Sequence, residues 1–60
     1  MLEHRIITAC RKSGIPASMF GRAIAGDSRI IYDLRNGRTL RASTAERLLQ
    51  RIDAMEANNA

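Results

Sequence analysis

The fold is decided by residues 20–37, which read FGRAIAGDSRIIYDLRNG. At helical period, the larger apolar side chains fall on one side, and these are Phe20, Ile24, Ile31 and Leu34. The polar side chains fall on the other side. Gly26 and Asp27 divide the stretch, since glycine adopts positive φ freely and aspartate caps a following helix. We therefore predict two short helices, at about 17–24 and 28–35, joined by a tight turn.

A β-hairpin is the main rival for this stretch, because Asn36-Gly37 is a strong two-residue hairpin signal. Pairing around that turn would place Arg35 opposite Arg38, and neither face of the hairpin would be consistently apolar. The helical interpretation instead uses Gly37 to end the second helix. We favour the helix.

An amphipathic helix precedes this pair. Its inner positions within residues 2–13 are Leu2, Ile6, Ile7, Ala9 and Cys10. Gly14 ends the helix, and the Ile15-Pro16 pair separates it from the next, with Ile15 predicted to enter the core. Phe20, Ala23 and Ile24 are predicted to form the inner stripe of helix 2. Gly21 would allow the next helix to cross closely.

A fourth helix follows a basic loop at 38–42, in which Leu40 is the predicted core anchor. Ser43 and Glu46 match a capping box, with serine at the N-cap. The apolar stripe of the helix is Ala45, Leu48, Leu49, Ile52 and Met55. We therefore predict an all-α domain of four to five helices over residues 1–57, with a flexible tail at 58–60.

Length and composition narrow the class of protein. A chain of 60 residues buries only about 60% of its unfolded surface, so self-association as a homodimer is the expected extra source of stability. Cys10 is the one cysteine, which excludes an internal disulfide and a cysteine-based zinc site. Apolar runs are too short to cross a membrane, and no signal peptide is evident. We expect a soluble cytoplasmic protein.

Charge is distributed unevenly along the chain. The net charge is +4, and nine of the ten basic residues are arginine. The balance is +2 over residues 1–15, +3 over residues 16–41 and −1 over residues 42–60. Arginine suits phosphate and guanine edges better than lysine does. A helix pair with a polar outer side, on a basic chain, is typical of a DNA-reading surface, although a solvated charged face is the plain alternative.

The order and spacing of these motifs resemble the lambda-repressor-like helix-turn-helix family, which includes Cro and XRE-type regulators. The resemblance rests on residues 20–23, 27–34 and 36–37, and on Ser43 onward. It covers residues 5–55. One departure lies in the turn, where the usual glycine position holds Ala25 and Gly26 comes next.

This resemblance implies roles for named residues. Base-reading residues in the major groove would be Ser28, Arg29, Tyr32 and Asp33. Phosphate contacts would come from Ala17, Ser18, Arg22, Asn36, Arg38 and Arg41. Arg29 is the main candidate for guanine recognition, with Asp33 holding its guanidinium or accepting from cytosine. Arg35 is expected to form a structural ion pair instead.

The resulting hypothesis is a small transcriptional regulator of phage, mobile-element or small bacterial type, located at the nucleoid and binding specific double-stranded DNA. The alternatives are a protein-interaction module of antitoxin or anti-repressor type and a non-specific architectural DNA binder. An enzyme is not expected, since the sequence has no acid pair, nucleophile–base pair, metal cluster or phosphate-binding glycine loop. No cofactor, metal or small-molecule ligand is implied.

Overall fold

The computed structural model describes residues 2–58, and within that range it contains four α-helices and no strand. The helices are α1 (Leu2–Ser13), α2 (Ala17–Ala25), α3 (Ile30–Arg35) and α4 (Ala42–Asn58). The all-α class is confirmed, and the hairpin does not form. Of the tail predicted at 58–60, Asn58 ends α4, while 59 and 60 lie outside the described residues.

All four helices contribute to one core. Its buried members are Ile6, Cys10, Phe20, Ile24, Ile30, Ile31, Leu34, Ala45, Leu48 and Ile52. Ile15 and Leu40 pack against this core from the connections, as predicted. Burial raises the pKa of the Cys10 thiol. Ala23 is exposed, so its predicted place on the inner stripe is wrong, and α2 presents a narrower apolar face.

Helices α2 and α3 approach closely at Gly21. A Cβ atom there would lie 2.5 Å from the carbonyl oxygen of Asp27 and 2.8 Å from Cγ2 of Ile30. Only a residue without a side chain fits this crossing. Gly26 adopts φ 66° and its N–H donates to the carbonyl of Arg22 at 3.0 Å, which ends α2.

Helix α3 begins at Ile30, two residues later than predicted. Asp27 explains the delay, because its Oδ1 accepts a hydrogen bond from the backbone N–H of Arg29 at 2.9 Å. That bond places Ser28 and Arg29 in a turn. The helical ladder then starts from the carbonyl of Arg29, which accepts from the N–H of Asp33 at 2.9 Å.

The end of α3 is a Schellman motif built on Gly37. The N–H of Gly37 donates to the carbonyl of Leu34 at 3.1 Å, and the N–H of Arg38 donates to that of Asp33 at 2.9 Å. Gly37 has φ 99°, which favours glycine. The predicted glycine ending is therefore confirmed, and it turns the chain back so that Arg38 lies beside Asp33.

Helix α4 starts at Ala42, one residue before the predicted cap. The carbonyl of Arg41 accepts from the N–H of Ala45 at 2.9 Å, so the backbone has already closed the first turn. Ser43 consequently lies inside that turn, and the predicted capping box with Glu46 does not form. The apolar stripe is as predicted. No described helix is long and apolar enough to span a membrane.

One hydrogen bond joins α1 to the loop between α3 and α4. Oε2 of Glu3 accepts from the backbone N–H of Leu40 at 2.9 Å. This bond lowers the pKa of Glu3 below its ordinary value. Although helical period alone places Glu3 on the outer side of α1, the residue is half-buried and holds the loop against that helix.

Candidate nucleic-acid interface

The exposed side of the α2–turn–α3 unit, which we call the outer face, carries Arg22, Arg29, Tyr32, Arg35 and Asn36. Arg29 and Asn36 cap the two ends of α3 and Tyr32 lies within it, and their spacing of three and four residues places all three along one side of the helix axis. Tyr32 is 47% exposed. The opposite side of α3 is buried through its isoleucines and leucine. The core thus fixes which side chains α3 presents to solvent.

Arg38 forms both ion pairs found among residues 2–58. Its Nη1 lies 3.1 Å from Oδ2 of Asp33 and 4.0 Å from Oδ2 of Asp27. Asp33 therefore pairs with Arg38, and the predicted pairing of Asp33 with Arg29 is not formed. All three side chains are about half exposed, so each pair contributes at most about 1 kcal/mol. These ion pairs therefore orient the side chains of Arg38 and the two aspartates more than they stabilise the fold.

This arrangement leaves the outer face positively charged. Its nearby carboxylates, Asp27 and Asp33, are both bound by Arg38. Among the described residues, the guanidinium groups of Arg22, Arg29 and Arg35 have no carboxylate within 4.0 Å. The expected structural ion pair of Arg35 is consequently not observed. Arginines in this state are available to a negatively charged ligand.

The other predicted phosphate contacts surround this face. Ala17 and Ser18 lie half-buried in the first turn of α2, after Pro16. Helix geometry leaves the first backbone N–H groups of α2 without an intrahelical acceptor. Arg41 is exposed beyond α3. The first turn of α2 and the loop after α3 are the segments that carry these candidates.

Met19 is a residue that sequence reasoning did not single out. Its side chain is 61% exposed, at the start of α2 beside Ser18. A large apolar side chain in that position adds an apolar contact surface next to the candidate phosphate-binding turn. Met19 lies between Ser18 and Phe20, and an apolar residue next to the core residue Phe20 does not by itself predict exposure.

Two arginines of α4 also escaped sequence reasoning as candidates. Arg47 and Arg51 line a groove of about 260 Å³ that is bounded by the end of α2, by Asp27 and by Arg38. We call it the turn groove. The segment 42–60 has a net charge of −1 in the sequence, which hid this local concentration of positive charge.

A second groove, of about 470 Å³, separates α1 from the other side of α4, and we call it the α1–α4 groove. Arg5 and Lys12 lie on its α1 wall, and Asp53 and Glu56 lie on its α4 wall. Cations and anions thus face one another across it. Among the described residues, no His/Cys/Asp/Glu cluster could hold a metal ion.

Comparison of the chain with protein-family models, with curated proteins and with solved structures found no match. The chemistry of the outer face therefore has to be read from its own residues.

Proposed function

We propose that the protein is a small transcriptional regulator that binds specific sequences of double-stranded DNA, with α3 in the major groove. The observation that supports this best is the outer face itself. Arg29, Tyr32 and Asn36 align on the exposed side of a short helix, while Arg38 binds the two neighbouring carboxylates. A short helix with an exposed arginine at each end, Arg29 and Arg35, suits the width and the negative potential of the major groove.

Arg29 has the central role in this proposal. A bidentate arginine contact to O6 and N7 of guanine is the commonest specific contact in the major groove. The backbone of Arg29 is fixed by Asp27, and its side chain is exposed, so its guanidinium can reach a base edge. Tyr32 would contact a thymine methyl group or a phosphate. Ser28 and Asp33 are secondary readers, since both are only half exposed and Asp33 also holds Arg38.

Phosphate contacts would orient α3 without reading sequence. Ala17 and Ser18 would offer backbone donors from the first turn of α2, and Arg22 would add a charge from the same helix. Asn36, Arg38 and Arg41 would hold the backbone on the other side of α3. With the first turn of α2 counted as one contact, these five contacts would give log K a slope of about −4 to −5 against log salt.

The proposed protein acts as a homodimer in the bacterial or phage-infected cytoplasm. Its small size supports the dimer, since a core of this extent gains from a partner chain. Two copies related by a two-fold axis would read half-sites about 34–36 Å apart.

The test is selection of binding sites from random duplexes, followed by comparison of Arg29→Ala with Arg5→Ala. Both residues are exposed arginines, but Arg5 lies in the α1–α4 groove. We expect Arg29→Ala to weaken binding to the selected site by about 1–3 kcal/mol and to relax the preference at one guanine. Arg5→Ala should leave that preference unchanged.

Two results would contradict this function. The first is a preference for selected over random DNA of less than about tenfold, together with an equal loss of affinity for all sequences in Arg29→Ala. An architectural DNA binder would behave in this way. The second is the absence of salt-sensitive DNA binding together with co-purification of a partner protein.

A further inference from the structure

Four of the five charged side chains of α4 line two grooves on opposite flanks of its apolar stripe, and the fifth, Glu46, is exposed and lines neither groove. Arg47 and Arg51 are four residues apart, so they lie on one side of the helix and line the turn groove. Asp53 and Glu56 line the α1–α4 groove on the other flank. The charge of −1 for residues 42–60 therefore conceals two arginines that lie on a different flank from Asp53 and Glu56.

The acidic flank does not neutralise the arginine flank. Asp53 and Glu56 face Arg5 and Lys12 of α1 across their own groove. Arg47 and Arg51 are exposed, and neither has a carboxylate within 4.0 Å among residues 2–58. Two unpaired positive charges thus remain on the side of α4 that faces the α2–α3 turn.

The turn groove borders the turn that joins α2 to α3. Asp27 and Arg38 line it, and these are the residues that fix the turn and the loop beside α3. Its apolar wall comes from Ile24, Ile30 and Leu48. The groove opens to the surface.

We propose that the turn groove binds a backbone phosphate of the same DNA that the outer face reads, with Arg47 and Arg51 as the phosphate donors. This inference rests on the proposed function and extends the interface from α3 onto α4. A guanidinium group offers a planar fork that matches phosphate oxygens, and two of them one helical turn apart can share one phosphate or bind adjacent ones. Such contacts strengthen binding to every sequence.

Arg38 plays a different part from its two neighbours in this groove. Its charge is already offset by Asp27 and Asp33, so it adds little net attraction. It holds the turn and the loop in place, and it can share a remaining donor with the phosphate. Arg47 and Arg51, which have no carboxylate within 4.0 Å among the described residues, supply the positive charge.

The experiment compares two double variants that remove the same amount of charge. Arg47→Gln/Arg51→Gln changes the turn groove, and Arg5→Gln/Lys12→Gln changes the α1–α4 groove. Affinity is measured over a range of salt for the selected duplex and for an unrelated duplex. We expect the turn-groove variant to reduce the salt slope by about 0.9 for each phosphate that the protein no longer binds, and to weaken both duplexes equally. The α1–α4 variant should leave the slope nearly unchanged.

Two further measurements make the outcome decisive. Arg47→Lys/Arg51→Lys should recover most of the slope because it retains both charges, and thermal unfolding should show that all variants fold. An unchanged slope in the glutamine variant, or an equal loss in both glutamine variants, would overturn the inference. In either case we would still expect Arg29→Ala to lose the guanine preference. That variant therefore tests the proposed function independently of the turn groove.

Discussion

The two grooves beside α4 both have charged walls, but the α1–α4 groove has two basic and two acidic side chains, whereas the turn groove has three arginines and one aspartate. In the α1–α4 groove, basic side chains of α1 face acidic side chains of α4. In the turn groove, three arginines converge, and the one carboxylate on its wall, Asp27, approaches Arg38. The comparison teaches that the placement of charge around a helix, and not its sum along a segment, decides which surface can attract an anion.

Of the substitutions that test this comparison, Gly21→Ala should lower the free energy of unfolding most. The added Cβ would meet the backbone oxygen of Asp27 at 2.5 Å, so α2 and α3 must separate. We expect a loss of about 1–3 kcal/mol in the free energy of unfolding, even though alanine favours a helix by about 1 kcal/mol. The measurement is chemical denaturation, with DNA affinity as a second readout.

Ala23→Leu is the matched control, since Ala23 is exposed on the same helix. It should change stability by no more than about 0.5 kcal/mol. Equal stability of Gly21→Ala and the parent protein would show that the close crossing does not hold the turn side of the molecule in place.

Substitutions of Asp27 should lower stability less. Two of them distinguish its role as a cap on the Arg29 N–H from its role as a charge near Arg38. Asp27→Ala removes both the cap on the Arg29 N–H and the carboxylate near Arg38, and should cost about 1 kcal/mol. Asp27→Asn keeps a capping oxygen and loses only the charge, so it should be nearly as stable as the parent protein. Chemical denaturation of both variants measures the difference.

Asp27→Asn also sharpens the contrast between the grooves. Because it removes the acidic charge from the turn groove, we expect it to raise affinity for unrelated DNA at low salt. Similar stability losses in both Asp27 variants would show that the carboxylate acts through Arg38 and not as a cap.

The smallest effect concerns Glu3, an acid of α1 whose Oε2 accepts a hydrogen bond from the backbone N–H of Leu40. Its pKa is lowered from 4.5, chiefly by the hydrogen bond from Leu40. The ionised form therefore stabilises the fold above pH 4.5, and this contribution disappears as the pH falls through the lowered pKa. The stability difference between the parent protein and Glu3→Gln should be constant near neutral pH and vanish in acid. A difference that is independent of pH would contradict the role of charge.

Much of the fold could be predicted from the sequence because each helix carries a clear apolar stripe. The predicted bounds of the first helix match those of α1, and the glycine ending of α3 followed from Asn36-Gly37. Helix boundaries that depend on a single side chain were harder to predict. The start of α3 depends on whether Asp27 binds the N–H of Arg29 or of Ile30, and helical periodicity does not report that choice.

The exposure of the main candidate residues could be predicted, but their pairing could not. Arg29 and Tyr32 are exposed, as helical period predicts. The partner of Asp33 was mistaken because Arg38 follows a reversal of the chain at Gly37, so spacing along a helix cannot indicate the contact. The placement of Arg47 and Arg51 depends on how α4 packs against the α2–α3 turn, which is a tertiary property.

The hydrogen bond between Glu3 and Leu40 also has a consequence for the order of folding. It joins residues 37 positions apart, whereas a helix forms from contacts within one turn. Such a bond can form only after the intervening chain has compacted, so it belongs to the late steps of folding and to the early steps of opening. The amide hydrogen of Leu40 is therefore a natural exchange reporter for the moment when the loop carrying Arg38 and Arg41 detaches from α1 while the core remains folded.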